Sequence, residues 1–179
     1  RPYLDRVSRT WIQVNGRPDA DTLRSLGRLF DLHELALEDV LNTGQRPKMD
    51  IYGEQLFIVL AMPRHAEGSV VHEQVSSFTG PDYRICFSTT AADPFEPLRK
   101  RMRPPSSSRL RSQGIDYLLY GIVDFVIDAG FPVLEEFGVE IEELEELLLA
   151  SPGRDALSRI HHVRRELLLL RRMLWPQRE

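Results

Sequence analysis

Residues 131–174, FPVLEEFGVEIEELEELLLASPGRDALSRIHHVRRELLLLRRML, carry two apolar seams separated by a turn. Leu134, Phe137, Ile141, Leu144 and Leu148 recur at 3,4,3,4 spacing, and Ala156, Ile160, Val163, Leu167, Leu170 and Leu174 at 4,3,4,3,4. Side chains so spaced share one side of an α-helix, so each seam predicts a long helix with a heptad-like stripe. Between them Ala150-Ser151-Pro152-Gly153 supplies a tight turn. Ser151 is expected at the N-cap and Pro152 at the first helical position, where its missing N–H has no partner to lose. The two helices then fold back as an antiparallel hairpin. Charge agrees: residues 131–150 carry seven glutamates and no basic residue, while residues 153–179 carry seven arginines against three acids. Helices of opposite charge attract, though each exposed pair contributes only about 0.2–1 kcal/mol. The glutamate run reads first as a solvated face offset by its partner helix, and second as a surface that collects cations.

Toward the N-terminus the helical pattern reaches back to Leu110, and Pro104-Pro105-Ser106-Ser107-Ser108 marks a break. Residues 1–105 instead alternate short apolar runs with turn signals, the texture of a mixed α/β domain. Trp11–Val14 reads as a strand closed by Asn15-Gly16. Asp19 or Asp21 caps a short helix through Phe30, and a second helix covers about His33–Asn42. Met49–Ile51 and Leu56–Met62 read as strands around the turn Tyr52-Gly53-Glu54-Gln55, and Val70–Thr79 and Tyr83–Ser88 as the next pair around Gly80-Pro81-Asp82. Pro94–Arg103 is a short basic helix. The division expected is an α/β domain over 1–105 and a helical hairpin over 106–179.

The chain of 179 residues carries 27 acidic and 23 basic side chains, a net charge of −4, with 28% charged and 42% hydrophobic residues. These are the proportions of a folded protein, not a disordered one. A mildly acidic chain offers no global attraction to nucleic acid or to an anionic membrane. Cys86 is the single cysteine, so no intrachain disulfide forms. No uninterrupted apolar run approaches the roughly 20 residues of a membrane span. The chain starts at Arg1 without an initiator Met and stops within helical pattern, so it is expected to be a piece of a longer protein.

Enzyme signatures are missing: there is no G-x-S-x-G, Walker A, G-x-G-x-x-G or H-E-x-x-H. Cys86 lies mid-strand, where a buried inert thiol is expected. His161 and His162 are adjacent on a helix and diverge by about 100°, so they do not share a metal as an i,i+4 pair can. Carboxylates are the better candidates. In Leu37-Glu38-Asp39-Val40-Leu41 the apolar residues define a buried stripe, leaving both acids near the exposed side. Asp116, Asp124 and Asp128 stand at i, i+8 and i+12 on one stripe of the long helix, with Tyr120 between them. Aspartate is a poor helix former outside caps, so this stripe is unusual. Mg²⁺ takes carboxylate oxygens and retained water, often from separate elements. From spacing alone, solvated or arginine-paired carboxylates explain the stripe better than metal binding does.

The segment Leu32-His33-Glu34-Leu35-Ala36-Leu37-Glu38-Asp39-Val40-Leu41-Asn42, followed by Gln45-Arg46-Pro47-Lys48, resembles the cytosolic domain of CorA-type magnesium transporters. The likeness continues in Leu56-Phe57-Ile58-Val59-Leu60, Glu73-Gln74-Val75-Ser76, Asp116-Tyr117-Leu118-Leu119-Tyr120 with Val123-Asp124, and Leu174-Trp175-Pro176-Gln177-Arg178-Glu179. These blocks are collinear from about Trp11 to the last residue. The resemblance implies an α/β/α sandwich around a mixed sheet, then the helical hairpin, then a stalk helix entering the membrane. It implies a homopentameric Mg²⁺ channel, often passing Co²⁺ or Ni²⁺, whose Gly-Met-Asn pore signature and two transmembrane helices follow the last residue here. The chain would then lie on the cytoplasmic face of the membrane, would not conduct ions itself, and would be a monomer or part of the pentamer.

The family binds regulatory divalent cations between neighbouring cytosolic domains, and position by position the resemblance assigns Glu38, Asp39 and Asp124 as metal ligands. The remaining partner carboxylates belong to the stalk, so the site is half-built here and its Mg²⁺ affinity is expected to be weak. Gly44 stands where relatives often carry a larger polar residue. The zinc-transporting branch shares this architecture, which keeps Zn²⁺ as an alternative ion. Two other readings are a soluble protein-interaction module with no metal role and a metal-dependent hydrolase built on Glu38, Asp39 and Asp124, which lacks a positioned nucleophile.

Overall fold

The computed structural model describes residues 9–103, 109–150 and 153–178. Its sheet has five strands, β1 (Thr10–Asn15), β2 (Lys48–Tyr52), β3 (Gln55–Ala66), β4 (Ser69–Thr79) and β5 (Tyr83–Ser88), in the order β1-β5-β4-β3-β2. β1 runs parallel to β5 and every other pairing is antiparallel, so the sheet is mixed. Alternation along each strand sorts the side chains. Phe57, Val59, Phe78, Ile85 and Phe87 face one side, while Met62, Val75 and Cys86 face the other.

Onto the first face pack α1 (Ala20–Phe30) and α2 (Glu34–Leu41), through Leu23, Phe30, Ala36 and Val40. Asp19 caps α1, its Oδ1 accepting from the N–H groups of Asp21 and Thr22 at 2.9 and 2.8 Å. Onto the second face pack α3 (Glu96–Met102), α4 (Arg109–Ser112) and α5 (Ile115–Asp128), through Leu98, Leu110, Leu118, Ile122 and Val126. This is the expected α/β/α sandwich. The division expected at residue 105 does not separate the layers, because α4 and α5 bury their apolar stripes on the sheet and complete the sandwich from beyond it. The break read at residues 104–108 lies outside the described residues.

Only Ala129 separates α5 from α6 (Gly130–Ala150), and α7 (Arg154–Leu174) returns antiparallel before a short 3₁₀ turn, Trp175–Arg178. Unlike the run of apolar letters, the stretch Ile115–Leu149 as a whole is long and apolar enough to cross a bilayer. Its stripes are nonetheless used inside the protein: Ile122 and Val126 on the sheet, Val133, Phe137 and Leu144 on α7. The hairpin seam is narrower than the heptads suggest. Phe137, Leu144, Val163 and Leu170 are buried, whereas Ile141, Leu148 and Ile160 line an open apolar groove of about 470 Å³. Opposite charge contributes little, since Arg159–Glu143 at 3.2 Å is the one α6–α7 ion pair among the described residues. Ser151 and Pro152 lie outside the described residues; α7 itself starts at Arg154, with Gly153 rather than Ser151 at the N-cap.

β3 and β4 overrun the sheet. Residues 55–59 pair with β2 and residues 75–79 with β5, but the pairs from Ala61↔Gln74 to Ala66↔Ser69 extend as a two-stranded ribbon. Glu67 and Gly68 turn it with φ of 52° and 76°, the left-handed pair that matches strand twist. The ribbon tip is what holds the hairpin. Val70 N–H donates to the buried Glu166 carboxylate at 2.8 Å, His162 Nε2 lies 2.7 Å from the Gly68 carbonyl, and His65 pairs with Glu136. Val70 also packs into the hairpin core.

Candidate metal centre

His33 starts α2, its Nδ1 accepting from the Leu35 N–H at 3.3 Å and its ring stacked on Tyr52 at 4.2 Å. With Ala36 and Val40 turned to the core, Glu38 is exposed. Asp39 is not: its side chain is 17% accessible. The loop after α2 folds back so that Gln45 Nε2 donates to Asp39 Oδ1 at 2.9 Å and Lys48 Nζ to Oδ2 at 2.6 Å. Lys48 also reaches Asp50 at 3.1 Å, and its hydrogen bond to Asp39 raises the ammonium pKa. The buried Gln74 fastens the same loop, donating to the Asp39 carbonyl at 2.9 Å and accepting from the Gln45 N–H at 3.1 Å. The expectation of two exposed acids therefore holds for Glu38 and is corrected for Asp39. Helix periodicity locates the core side of α2, whereas the cover over Asp39 comes from residues six and nine positions later.

Asp124 sits on the open side of α5, as do Asp116 and Asp128. The Tyr120 hydroxyl donates to Asp124 Oδ1 at 3.4 Å, and the charge of Asp124 pushes the phenol pKa up. Large apolar side chains are exposed beside it: Tyr120 is 59% accessible, Phe131 60%, and Ile127 and Leu134 are also open. Bare carboxylates amid uncovered apolar surface are the makings of a contact face.

Because α2 and α5 cover opposite faces of the sheet, one chain does not bring Glu38 and Asp39 to Asp124. Among the described residues no group of three His, Cys, Asp or Glu side chains converges as a metal cage. A hydrolytic centre on these three residues thus has no intrachain geometry. His162 is engaged by Gly68 and, through Nδ1, by Arg165 at 3.0 Å, while Cys86 is buried with its thiol pKa raised by desolvation. As donors for Mg²⁺, Glu38 and Asp124 have the right hard-oxygen chemistry and room for retained water. Asp39 has the same oxygens, but both are already engaged, by Gln45 and by Lys48, which Asp50 shares.

The CorA-like Mg²⁺ transporter protein family matches residues 8–179 of this chain. The chain belongs to that family. The cobalt/magnesium transport protein CorA of Thermotoga maritima is 36% identical over 180 residues, which cover 99% of this chain and 51% of the relative. The putative metal ion transporter YfjQ of Bacillus subtilis is 26% identical, covering 94% of this chain and 51% of YfjQ. The chain thus spans about half the length of these curated relatives. Among solved structures, the soluble domain of CorA from Methanocaldococcus jannaschii superimposes with a TM-score of 0.78 at 20% identity, over 94% of this chain and 66% of that one. The ZntB cytoplasmic domain of Vibrio parahaemolyticus gives 0.72 at 12% identity, over 93% and 65%. Both share the CorA-like fold, and the family is one of transporters, not of enzymes.

Proposed function

We propose that this chain is the cytoplasmic regulatory part of a divalent-cation transporter that carries Mg²⁺, with Co²⁺ or Ni²⁺ as further cargo, and that it senses cytosolic Mg²⁺ through carboxylates at subunit interfaces. One observation carries the reading. The candidate carboxylates stand on opposite layers of the sandwich, Glu38 beside the exposed Leu35 on α2 and Asp124 beside the exposed Tyr120 and Phe131 on α5. A head-to-tail ring of identical subunits needs just such an arrangement, with each protomer presenting one face to each neighbour. Pentameric closure is the ring size the family resemblance supplies.

In this reading Glu38 of one protomer approaches Asp124 of the next. Two carboxylates brought to about 4 Å repel by roughly 4 kcal/mol at an effective dielectric of 20. A bound divalent cation would supply the opposite charge. Glu38 and Asp124 would hold it, and Asp39 would join by exchanging Lys48 onto Asp50. With the cation present the ring is compact and the pore shut; without it the cytoplasmic domains separate. The extent of the shift is set by the difference in cation affinity between the two arrangements. Few protein oxygens and much retained water make the site weak, suited to millimolar rather than micromolar Mg²⁺.

The test is protease protection of the intact transporter across a Mg²⁺ titration. Protection should rise with Mg²⁺ in the parent and be weakened in Asp39→Asn and Asp124→Asn. Unchanged titrations in both variants refute the assignment of these carboxylates.

A further inference from the structure

Beyond the acidic faces, the structure has an open groove of about 910 Å³ between the loop after α2, strand β4 and the C-terminal end of α7. Arg46 enters it from the loop, Arg171 and Arg172 from α7, and His72, Met173 and Trp175 complete the middle of the wall. Among the described residues no acidic side chain lines it, in a chain whose net charge is −4. Arg24, Arg64, Arg99, Arg103, Arg159 and Arg165 all pair with carboxylates, whereas none pairs with Arg46, Arg171 or Arg172 among the described residues. The Arg171 guanidinium instead lies over the Trp175 ring, 5.4 Å from its centroid, so its charge is held at the rim by the aromatic face.

Three guanidinium groups without a carboxylate partner among the described residues, drawn from two separate elements and lining one concavity, fit a ligand with several phosphate oxygens. Arginine forks match phosphate bidentately, and a multivalent anion meets more than one fork at once. Lysines would make only a diffuse positive surface; here every cation is an arginine. We infer that this groove is a binding site for a multivalent phosphate, held by Arg46, Arg171 and Arg172 beside Trp175. The inference stands apart from the metal reading, since it uses none of the same residues.

Two sources share this chemistry: a soluble polyphosphate-bearing anion and the headgroups of an anionic membrane. The chain has two tryptophans, Trp175, which is 54% accessible, and Trp11, which packs in the second core against Phe95. Emission from Trp175 therefore reports the groove, and calorimetry gives a second measure. Tripolyphosphate titrated into the chain in Mg²⁺-free buffer at constant ionic strength should give a saturable response. Arg46→Ala with Arg172→Ala should weaken it at least about tenfold, while Arg154→Ala, on the same helix but outside the groove, should leave it unchanged. In parallel, vesicles of phosphatidylcholine with phosphatidylglycerol are compared with phosphatidylcholine alone. A saturable, groove-arginine-dependent response to tripolyphosphate assigns a soluble ligand; arginine-dependent capture by the anionic vesicles alone assigns the membrane. No saturable response to either, or one that Arg154→Ala weakens as much as the groove pair does, overturns the inference.

Discussion

At Asp39 each carboxylate oxygen already has a partner, Oδ1 the Gln45 amide and Oδ2 the Lys48 ammonium. Lys48 is thus the cation that satisfies Asp39 in the isolated chain, and Asp50 offers it a second seat. Replacing it by methionine leaves a mostly buried carboxylate with one hydrogen bond, at a cost of about 1–3 kcal/mol. The expected outcome for Lys48→Met is a lower Tm of which millimolar Mg²⁺ restores a larger part than it adds to the parent. Equal Mg²⁺ shifts in the two proteins would show that Asp39 does not take the cation. Asp124 is different, being exposed and, among the described residues, bonded only to Tyr120, so Asp124→Asn should change stability by less than about 0.5 kcal/mol. A fall in Tm well beyond that would mark Asp124 as structural. His72 supplies a pH term. Burial lowers its pKa, so on acidification the unfolded chain takes up the proton first. Its contribution is complete above the ordinary value of about 6.5 and is lost as the pH falls below that toward the depressed folded value. His72→Gln should therefore flatten the Tm profile between pH 7.5 and 5.5, and an unaltered slope assigns the acid sensitivity elsewhere.

Between elements, the contact that fastens the helical hairpin to the sandwich is the ribbon tip of β3 and β4. Glu166 sits within α7 with its carboxylate buried, accepting from the Val70 N–H and approached by Arg165 at 3.5 Å. Glu166→Ala removes the acceptor of a partly buried N–H, a loss of about 1 kcal/mol. Hydrogen exchange should quicken at residues 69–71 while the sheet centre at Phe57 and Phe78 stays protected. Uniform quickening across β3 and β4 would mean that the ribbon is not a separate unit. Little of this docking was legible beforehand. The apolar run Leu56–Met62 reads as a strand but stops at Pro63-Arg64-His65, where the continuation is set by partners on α6 and α7 that are far away in sequence. The hairpin itself was legible, because heptad spacing is a local signal. Which half of each seam is buried was not, since Leu134, Ile141 and Leu148 match Phe137 and Leu144 in character and differ only in what faces them. The site divides the same way: the apolar stripe of α2 is enough to leave Glu38 open, while the cover over Asp39 depends on a returning loop that no periodicity describes.

For the whole molecule the proposed arrangement has a consequence that charge alone tests. Each interface would join Glu38 of one protomer to Asp124 of its neighbour, since the two residues lie on opposite layers within a chain. Changing one partner to a cation should therefore replace the divalent ion with a built-in salt bridge at every interface around the ring. In the intact transporter, Glu38→Lys is expected to give protease protection without Mg²⁺ that Mg²⁺ scarcely increases. Joining it with Asp124→Lys places two ammonium groups together, restoring a repulsion comparable to that of the two carboxylates at the same spacing. Of the three candidate carboxylates only Asp39 is left there, too few to relieve the repulsion, so the double variant should stay protease-sensitive at Mg²⁺ concentrations that protect the parent. A metal site within one protomer predicts the reverse for the single variant, since a lysine there would abolish binding and leave the cytoplasmic domains open. Protection of Glu38→Lys in the absence of divalent ions is thus the measurement that separates a sensor built between subunits from one built inside them.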